Sequence, residues 1–284
     1  MAKLTVEQLV QHYYKSSDYS MLAYKTKVDY SNCLDIMLNT KLNKHSICTT
    51  KVDKLTGAIA RQSYELWLKR GISMANHIVS SSRKVYSFGM EMGYVEYNPF
   101  STFKCKTNKP RKVVWTREQI KKLLDFCYSD FRYRSIGLIV QMSYEWCQRV
   151  GDMRLLKFDS IDFNNGVLNL EQSKRGASVS LPISEDLFEM LQEQKRDYDF
   201  QEYVAPVPKA IRSSYNPYTL HRLSIVARKV IKLCGLPNEL RIADLRRTGT
   251  TEMVEAGVSM GQIMSVTGHA NPQSVKPYMK TNLH

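Results

Sequence analysis

The chain has 284 residues, of which 43% are hydrophobic, and its 41 Lys and Arg residues against 27 Asp and Glu give a formal charge of +14. This length is sufficient for about two domains, each with its own core. No apolar run approaches the roughly 18 residues of a membrane span, so a membrane protein is not expected. The excess of positive charge favours a polyanionic partner, nucleic acid above all, or another anionic surface.

The six cysteines lie at positions 33, 48, 105, 127, 147 and 234. Because none of them forms a C-x-x-C pair, the spacing argues against a zinc site and against a disulfide framework. We expect reduced and mostly buried thiols. The first residues also lack the apolar segment of a signal peptide, which predicts a cytoplasmic protein.

The first hundred residues are predicted to form an all-α bundle. Thr5 and Gln8 form a capping-box pattern before a short helix, and a second helix is expected over residues 19–39. A third helix around residues 61–70 ends at Gly71, and a fourth runs from residue 72 to 92 before Gly93. This half is assigned to a helical domain over residues 1–103.

Residues 104–112 have no apolar periodicity and are predicted to be a linker. A neutral linker would join two domains equally well, so the cations here suggest a segment that lies along a polyanion. A disordered basic connector is the alternative. The cations in question are Lys104, Lys106, Lys109, Arg111 and Lys112.

The second half, residues 113–284, mixes helices with a small antiparallel sheet. Thr116 and Gln119 form another capping box, and a second helix is expected over residues 134–147. The periodicity then changes, and three short strands are predicted at residues 158–163, 166–170 and 178–181. Later helices are expected at 185–196, from Asn216-Pro217 to about residue 234, and onward with breaks at Gly257 and Gly268.

Three positions near the end place a guanidinium, an imidazole and a phenol in series. Arg246 comes early on a predicted helix, Gly268-His269 follows the next helix, and Tyr278 comes nine positions later. Taken singly, these residues fit a helical tail with a solvent-exposed Arg, a helix-ending Gly and a core Tyr. Together they favour phosphodiester chemistry.

With the earlier motifs added, the chain resembles the tyrosine recombinase family of phage-type integrases. The motifs, in order, are Arg149-x-x-Asp152, Lys174 on the predicted hairpin, Leu245-Arg246, Gly268-His269 and Tyr278. The resemblance implies a mainly α fold with a small antiparallel β-sheet. Residues 1–103 would be a four-helix, SAM-like core-binding domain and residues 113–284 an α+β catalytic domain, together forming a C-shaped DNA clamp. No separate arm-binding domain is expected before the bundle.

The same resemblance implies a role for each motif residue. Tyr278 would attack the phosphodiester and form a 3′-phosphotyrosine, while Arg149 and Arg246 would hold its non-bridging oxygens. His269 would donate a hydrogen bond to the phosphate and Lys174 a proton to the departing 5′ oxygen. Asp152 would orient its neighbours, and no metal, ATP or other cofactor is needed. DNA contacts are assigned to Lys104, Lys106, Lys109, Arg111, Lys112 and Arg247.

The implied function is site-specific cleavage and rejoining of DNA, for the integration or excision of a phage or mobile element. The implied partners are double-stranded DNA with inverted core-type half-sites and other copies of the chain, as a dimer to tetramer. An accessory DNA-bending protein is a further candidate partner. The implied location is on DNA in the cytoplasm of a bacterial cell.

Two positions depart from the family pattern and keep other functions open. Ala243 stands three residues before Arg246, where histidine is usual; Asp244 faces elsewhere, and His221 is a conceivable substitute. Pro277 is expected to bias Lys276 away from helical angles and to re-aim the nucleophile. The short tail after Tyr278 makes tail-mediated assembly doubtful. The alternatives are a catalytically impaired recombinase-like DNA-binding protein and a type IB topoisomerase-like activity.

Overall fold

The computed structural model describes residues 4–42, 45–171, 178–210 and 214–279. The chain divides into two units, Met1–Arg111 and Lys112–His284. Each unit contains its own cluster of buried apolar side chains. Over the described ranges, no helix is both long and apolar enough to cross a membrane.

Helices dominate the first unit. Thr5 caps the first of them, and the reciprocal bonds between Thr5 and Gln8 form the capping box that the sequence predicted. Thr56 caps a later helix in the same way, by accepting a bond from the Ile59 N–H. The helices in the described part of this unit are α1 (Val6–Tyr14), α2 (Ser17–Ser20), α3 (Tyr24–Leu38), α4 (Gly57–Trp67) and α5 (Ile72–Glu91).

The single helix predicted over residues 19–39 is wrong, because the structure contains α2 and α3 instead. Met21 ends α2, and α3 begins at Tyr24. The apolar residues that suggested one continuous stripe do not share a buried face, since the side chain of Tyr24 is 83% exposed and only the later residues of α3 enter the core. Apolar spacing alone does not distinguish a core residue from an exposed one.

The prediction of an all-α first half also needs correction. Strands β1 (Lys41–Leu42) and β2 (His45–Ser46) form a short antiparallel ribbon after α3. Two hydrogen bonds to Thr40 stabilise the ribbon. The Ile47 N–H donates to Thr40 O, and the indole Nε1–H of buried Trp67 donates to Thr40 Oγ1. Two-residue strands carry too little alternation to be recognised in a sequence.

The basic segment beyond residue 103 is bound to the first unit for part of its length. The Lys106 N–H donates to Tyr64 Oη at 2.8 Å, and Asn76 Nδ2 donates to Lys106 O at 2.8 Å. Two residues later, Asn108 Nδ2 donates to Ser73 Oγ at 2.7 Å. The main chain is therefore held against α4 and α5 as far as Asn108.

The second unit is mainly helical and includes a three-stranded antiparallel sheet, which confirms this part of the predicted fold. Its sheet consists of β3 (Ile161–Asp162), β4 (Val167–Glu171) and β5 (Ser178–Pro182), in that spatial order. The described helices are α6 (Arg117–Tyr128), α7 (Phe131–Glu145), α8 (Val150–Met153), α9 (Glu185–Tyr198), α10 (Leu220–Leu233), α11 (Leu245–Glu255), α12 (Met260–Thr267) and α13 (Lys276–Met279).

The register of β4 and β5 aligns one apolar face with the core. Leu168 pairs with Leu181, and both are buried. The last pair before the hairpin tip is Glu171 with Ser178. Lys174, assigned to this tip, lies outside the described residues.

Helix α10 starts later than predicted. Thr219 caps it by accepting a bond from the Arg222 N–H, whereas Asn216-Pro217 belongs to the extended segment before it. Pro217 forms an isolated bridge with Pro206, and the Val207 N–H donates to Asn216 O at 2.9 Å. A proline that follows an Asn fits a turn or a bridge as well as a helix start.

Two central helices of the second unit, α7 and α11, approach each other closely at Gly249. A Cβ at this position would lie 2.6 Å from Tyr144 O and 2.6 Å from Cys147 Sγ. Only glycine avoids both contacts. This contact sets the position of the first turn of α11, three residues earlier.

Candidate active site

Arg149 and Asp152 lie at the start of α8. Arg149 is the N-cap residue, and its carbonyl accepts the Asp152 N–H at 2.8 Å. Its Nη1 lies 3.6 Å from Oδ2 of Asp152, whose side chain is buried. The carboxylate and the guanidinium therefore form an ion pair, as a spacing of three residues on a helix allows.

Cys147, two residues before Arg149, has a φ of 50°, which is rare for a residue other than glycine. Its thiol is buried against α11, and burial raises its pKa to about 12. The thiol is therefore neutral at physiological pH. This backbone angle lies in the turn between α7 and α8, and Arg149 follows it as the N-cap of α8.

Arg246 occupies the first turn of α11, and only 8% of its surface is exposed. Burial, and then the positive charge of Arg149, lower the pKa of its guanidinium to about 10. The group is still charged at neutral pH, although both effects oppose its charge. Within the part of the chain that the structure describes, its Nη1 is buried without a hydrogen-bond partner.

His269 is positioned by the end of α12. Gly268 adopts the left-handed conformation, with φ 66° and ψ 31°, and both its N–H and that of His269 donate to Met264 O. This helix-ending glycine, predicted from the sequence, turns the imidazole back toward α11. His269 Nε2 lies 3.1 Å from Arg246 Nη2, and Nδ1 lies 2.6 Å from Thr267 Oγ1.

These two contacts determine the tautomer of His269. A guanidinium can only donate, so Nε2 accepts the bond from Arg246. Nδ1 then carries the ring proton, and the Nδ1–H group donates a hydrogen bond to Thr267 Oγ1. The Thr267 hydroxyl in turn donates to Ile263 O at 2.6 Å, which leaves its oxygen available as an acceptor. The imidazole is neutral in this arrangement.

Tyr278 lies on α13, which packs against α11. The centroids of the Tyr278 and His269 rings are 6.4 Å apart. Lys276 is helical, so the prediction that Pro277 disfavours a helix here is wrong. Pro277 occupies the second position of α13, where the missing N–H has no partner to lose.

Not every residue considered from the sequence enters this arrangement. Ala243 lies on a short 3-10 turn with its side chain exposed, and His221 is exposed on α10. Asp244 ends the same turn and is buried. Arg247, expected to bind DNA, lies with its Cζ 5.0 Å from the centre of the Tyr278 ring. Sequence reasoning also missed Thr267, for which the only signal was its place two residues before His269.

The arrangement can bind a tetrahedral anion. Two guanidinium groups, one of them buried with an available donor, stand beside an imidazole and within reach of a phenol. Planar guanidinium forks match the paired oxygens of a phosphate and remain charged at neutral pH. The described residues contain no cluster of metal ligands.

Comparison with known proteins identifies a family for the second unit and relatives along most of the chain. The model of the phage integrase family matches residues 114–284. A tyrosine recombinase of Pseudothermotoga lettingae is 20% identical over 95% of this chain and 90% of its own length. The tyrosine recombinase XerA of Pyrococcus furiosus is 25% identical over 58% of this chain and 56% of its own.

Solved structures agree at the level of the fold. Lambda integrase (75–356), a dimer bound to a COC' core site, has a TM-score of 0.80 at 17% identity and covers 99% of this chain and 97% of its own. The Tn1549 transposon integrase bound to a circular intermediate DNA has a TM-score of 0.75 at 16% identity, with coverages of 97% and 95%. The chain therefore belongs to the phage integrase family, and the tyrosine recombinase identity that its motifs indicated is confirmed.

Proposed function

We propose that this chain is an active site-specific DNA recombinase that cuts and rejoins double-stranded DNA through a 3′-phosphotyrosine. The observation that carries the proposal is the convergence of Arg149, Arg246 and His269, with a buried guanidinium nitrogen of Arg246 available to an anion. The phenol of Tyr278 lies beside them. Burial of the Arg246 guanidinium beside the charge of Arg149 is costly, so its presence argues for an anionic ligand.

Each group has a distinct task in the proposed reaction. Tyr278 Oη attacks the scissile phosphorus, its proton passes to water, and the bond between phosphorus and the 5′ oxygen breaks as the new phosphate ester forms. Arg149 and Arg246 hold the two non-bridging oxygens, whose charge increases in the transition state. Asp152 orients Arg149 through their 3.6 Å ion pair.

The leaving group requires a proton donor. Lys174 supplies the proton to the departing 5′ oxygen, and His269 donates a hydrogen bond to the phosphate. The 3′-phosphotyrosine retains the energy of the broken bond, and a free 5′ hydroxyl reverses the attack to rejoin DNA. Neither ATP nor a metal ion is required for such an exchange.

The remaining parts of the chain serve DNA binding in this proposal. Residues 1–103 form a SAM-like core-binding domain of four main helices, α1, α3, α4 and α5, with α2 as a single turn between the first two. Residues 104–112 form a basic linker, and residues 113–284 form the catalytic domain. The two domains close on DNA as a C-shaped clamp, supported by the net charge of +14. Small-angle scattering with and without duplex tests this, since closure predicts a smaller radius of gyration for the bound protein. The linker cations that touch phosphates are Lys104, Lys106, Lys109, Arg111 and Lys112.

We further propose that the chain acts as a dimer to tetramer on inverted core-type half-sites, on DNA in the bacterial cytoplasm. Support comes from a structural neighbour, lambda integrase, which is found as a tetramer bound to a Holliday junction, with a TM-score of 0.78. Integration or excision of a phage or mobile element is the biological role, and an accessory DNA-bending protein is a further partner to test for.

A nicked suicide duplex tests the proposed activity. The duplex carries the site that the protein selects from a random-sequence pool, and the measurement is covalent protein–DNA adduct on a denaturing gel. Tyr278→Phe keeps the ring and removes the nucleophile, so adduct should vanish while DNA affinity is retained. Arg149→Lys and Arg246→Lys keep the charge but lose the planar fork, and each should slow cleavage by about 100- to 1,000-fold.

The alternatives give different results in the same assay. A catalytically impaired DNA-binding protein would bind the selected site tightly yet form no adduct, and Tyr278→Phe would be indistinguishable from the unmodified protein. A topoisomerase-like enzyme would relax supercoiled plasmid that lacks the site. A recombinase should form adduct only with the selected site and should exchange strands between two such duplexes.

A further inference from the structure

Arg247 lies next to the buried Arg246 on α11 but points to a different group. Its Cζ is 5.0 Å from the centroid of the Tyr278 ring, and its side chain is half-buried. A cation within about 6 Å of a ring centroid is attracted by the electron density of the ring face. Two consecutive arginines of one helix turn thus contact the imidazole of His269 and the ring of Tyr278.

The element that carries Tyr278 needs such contacts. Helix α13 has only four residues, and its Tyr278 N–H donates to Val275 O in the turn before it. Pro277, immediately before Tyr278, has no N–H to add. Helices this short have little stability of their own, so the position of α13 depends on its packing against α11.

We propose that Arg247 is a positioning residue, whose guanidinium holds the ring of Tyr278 beside the anion-binding groups Arg246 and His269. This inference rests on the proposed recombinase function. The guanidinium acts on the ring and not on a DNA phosphate. Its loss lowers the fraction of molecules in which the phenol is in place to attack, and the rate of cleavage falls by the same factor.

The test separates ring positioning from DNA binding. Arg247→Gln removes the charge with little change of length, and Arg247→Lys keeps a cation that can still lie over the ring. With protein in saturating excess over the selected suicide duplex, adduct formation by Arg247→Gln should slow by about 2- to 30-fold, the range that a cation–ring contact supports. Arg247→Lys should recover most of the rate.

DNA affinity provides the readout that a phosphate contact would change. For Arg247→Gln we expect an unaltered Kd for the duplex and an unaltered slope of log affinity against log salt. If Arg247 bound a phosphate instead, the slope would become shallower by about 0.9 and the saturated rate would stay normal, which overturns the proposal. Arg196→Gln, which removes an arginine exposed on α9, is the matched control and should alter neither rate nor affinity.

A double-mutant cycle of Arg247→Gln and Tyr278→Leu, measured by thermal unfolding, tests the contact itself. It therefore distinguishes failure of the positioning role from failure of the recombinase function. Non-additive shifts in Tm show that the side chains interact, whereas additive shifts overturn the positioning role. If the unmodified protein forms no adduct but the shifts are non-additive, the recombinase proposal fails and the contact stands. If it forms adduct and Arg247→Gln is equally fast, only the positioning role fails.

Discussion

Nη2 of Arg246 lies 3.1 Å from Nε2 of His269, and this contact assigns the imidazole proton to Nδ1. His269 is then an acceptor toward Arg246 and a donor toward Thr267, whose hydroxyl continues the chain of bonds to Ile263 O. For His269 to donate to a phosphate from Nε2, Arg246 must release Nε2, and Nε2 must carry a proton. The proton can come from protonation of the ring or from a tautomer change in which Thr267 Oγ1 donates to Nδ1. The role proposed for His269 therefore requires a change in its hydrogen bonds when a phosphate binds.

The first prediction concerns Thr267, which is fully buried and whose hydroxyl oxygen accepts a hydrogen bond from the Nδ1–H of His269. Thr267→Val keeps the side-chain shape and removes the acceptor, so the imidazole loses its orientation. We expect the cleavage rate at saturating protein to fall by about 2- to 10-fold, which corresponds to the free energy of one such hydrogen bond, while DNA affinity is retained. Thr267→Ser keeps the hydroxyl and should cleave at close to the normal rate. Equal defects in both variants would show that packing, and not the bond, is responsible.

The second prediction concerns the approach of α7 and α11. Gly249→Ala adds a methyl group 2.6 Å from Tyr144 O, a backbone atom that cannot move alone. We expect a loss of about 1–3 kcal/mol in the free energy of unfolding, measured by denaturant titration. Gly261→Ala on α12 is the control, because an added Cβ there meets nothing within 4 Å. It should be neutral or slightly stabilising, and comparable losses in both variants would contradict the close-approach argument.

The third prediction concerns Ala243, at the position where the family resemblance led us to expect histidine. Its side chain is exposed on the 3-10 turn before α11, so a larger residue can be accommodated without displacing the core. We expect Ala243→His to raise single-turnover cleavage, by up to about 100-fold, because it would supply an acid–base group. Ala243→Gln controls for size and polarity. An equal gain with glutamine, or no gain with histidine, would indicate that another donor already fills the role.

The fourth prediction concerns the basic linker. Replacing Lys104, Lys106, Lys109, Arg111 and Lys112 together by glutamine should flatten the dependence of log affinity on log salt. The slope should fall by about 0.9 for each phosphate contact that is lost, measured by titration of a labelled duplex.

A single replacement within the linker refines this test. Lys106 Nζ lies 3.5 Å from Glu65, and both side chains are about half exposed. Because this pair already partly neutralises the charge, Lys106→Gln alone should change the slope less than Lys109→Gln. An unchanged slope in the fivefold variant would show that the linker does not touch the DNA backbone.

Features encoded by adjacent residues could be predicted from the sequence. The capping boxes at Thr5 and Thr116 are present, because a cap depends on residues only three apart. The glycine at 268 ends α12 as expected, since its left-handed angles are costly for other residues. Family membership followed from the order of the motifs, which survives even when overall identity is low.

Features that depend on packing could not be predicted in this way. The break between α2 and α3 follows from which apolar side chains reach the core, and the exposed Tyr24 looks the same in a sequence as a buried tyrosine. The Thr267 hydroxyl contacts His269 because the chain reverses at the end of α12. Arg247 on α11 contacts Tyr278 on α13, and this contact depends on how the two helices pack. Motif spacing singled out Arg149, Asp152 and Arg246 together with His269 and Tyr278, whereas the contacts made by Thr267 and Arg247 required coordinates.

The burial of Arg246 has a consequence for the stability of this unit. Its lowered pKa means that the folded chain holds a positive charge that would be more stable in water. Replacing Arg246 by an apolar side chain of similar volume would remove this cost and stabilise the fold, but it would also remove the guanidinium to which we assign phosphate binding. Stability alone therefore does not explain why a charged side chain is buried at position 246, whereas the proposed binding of an anion does.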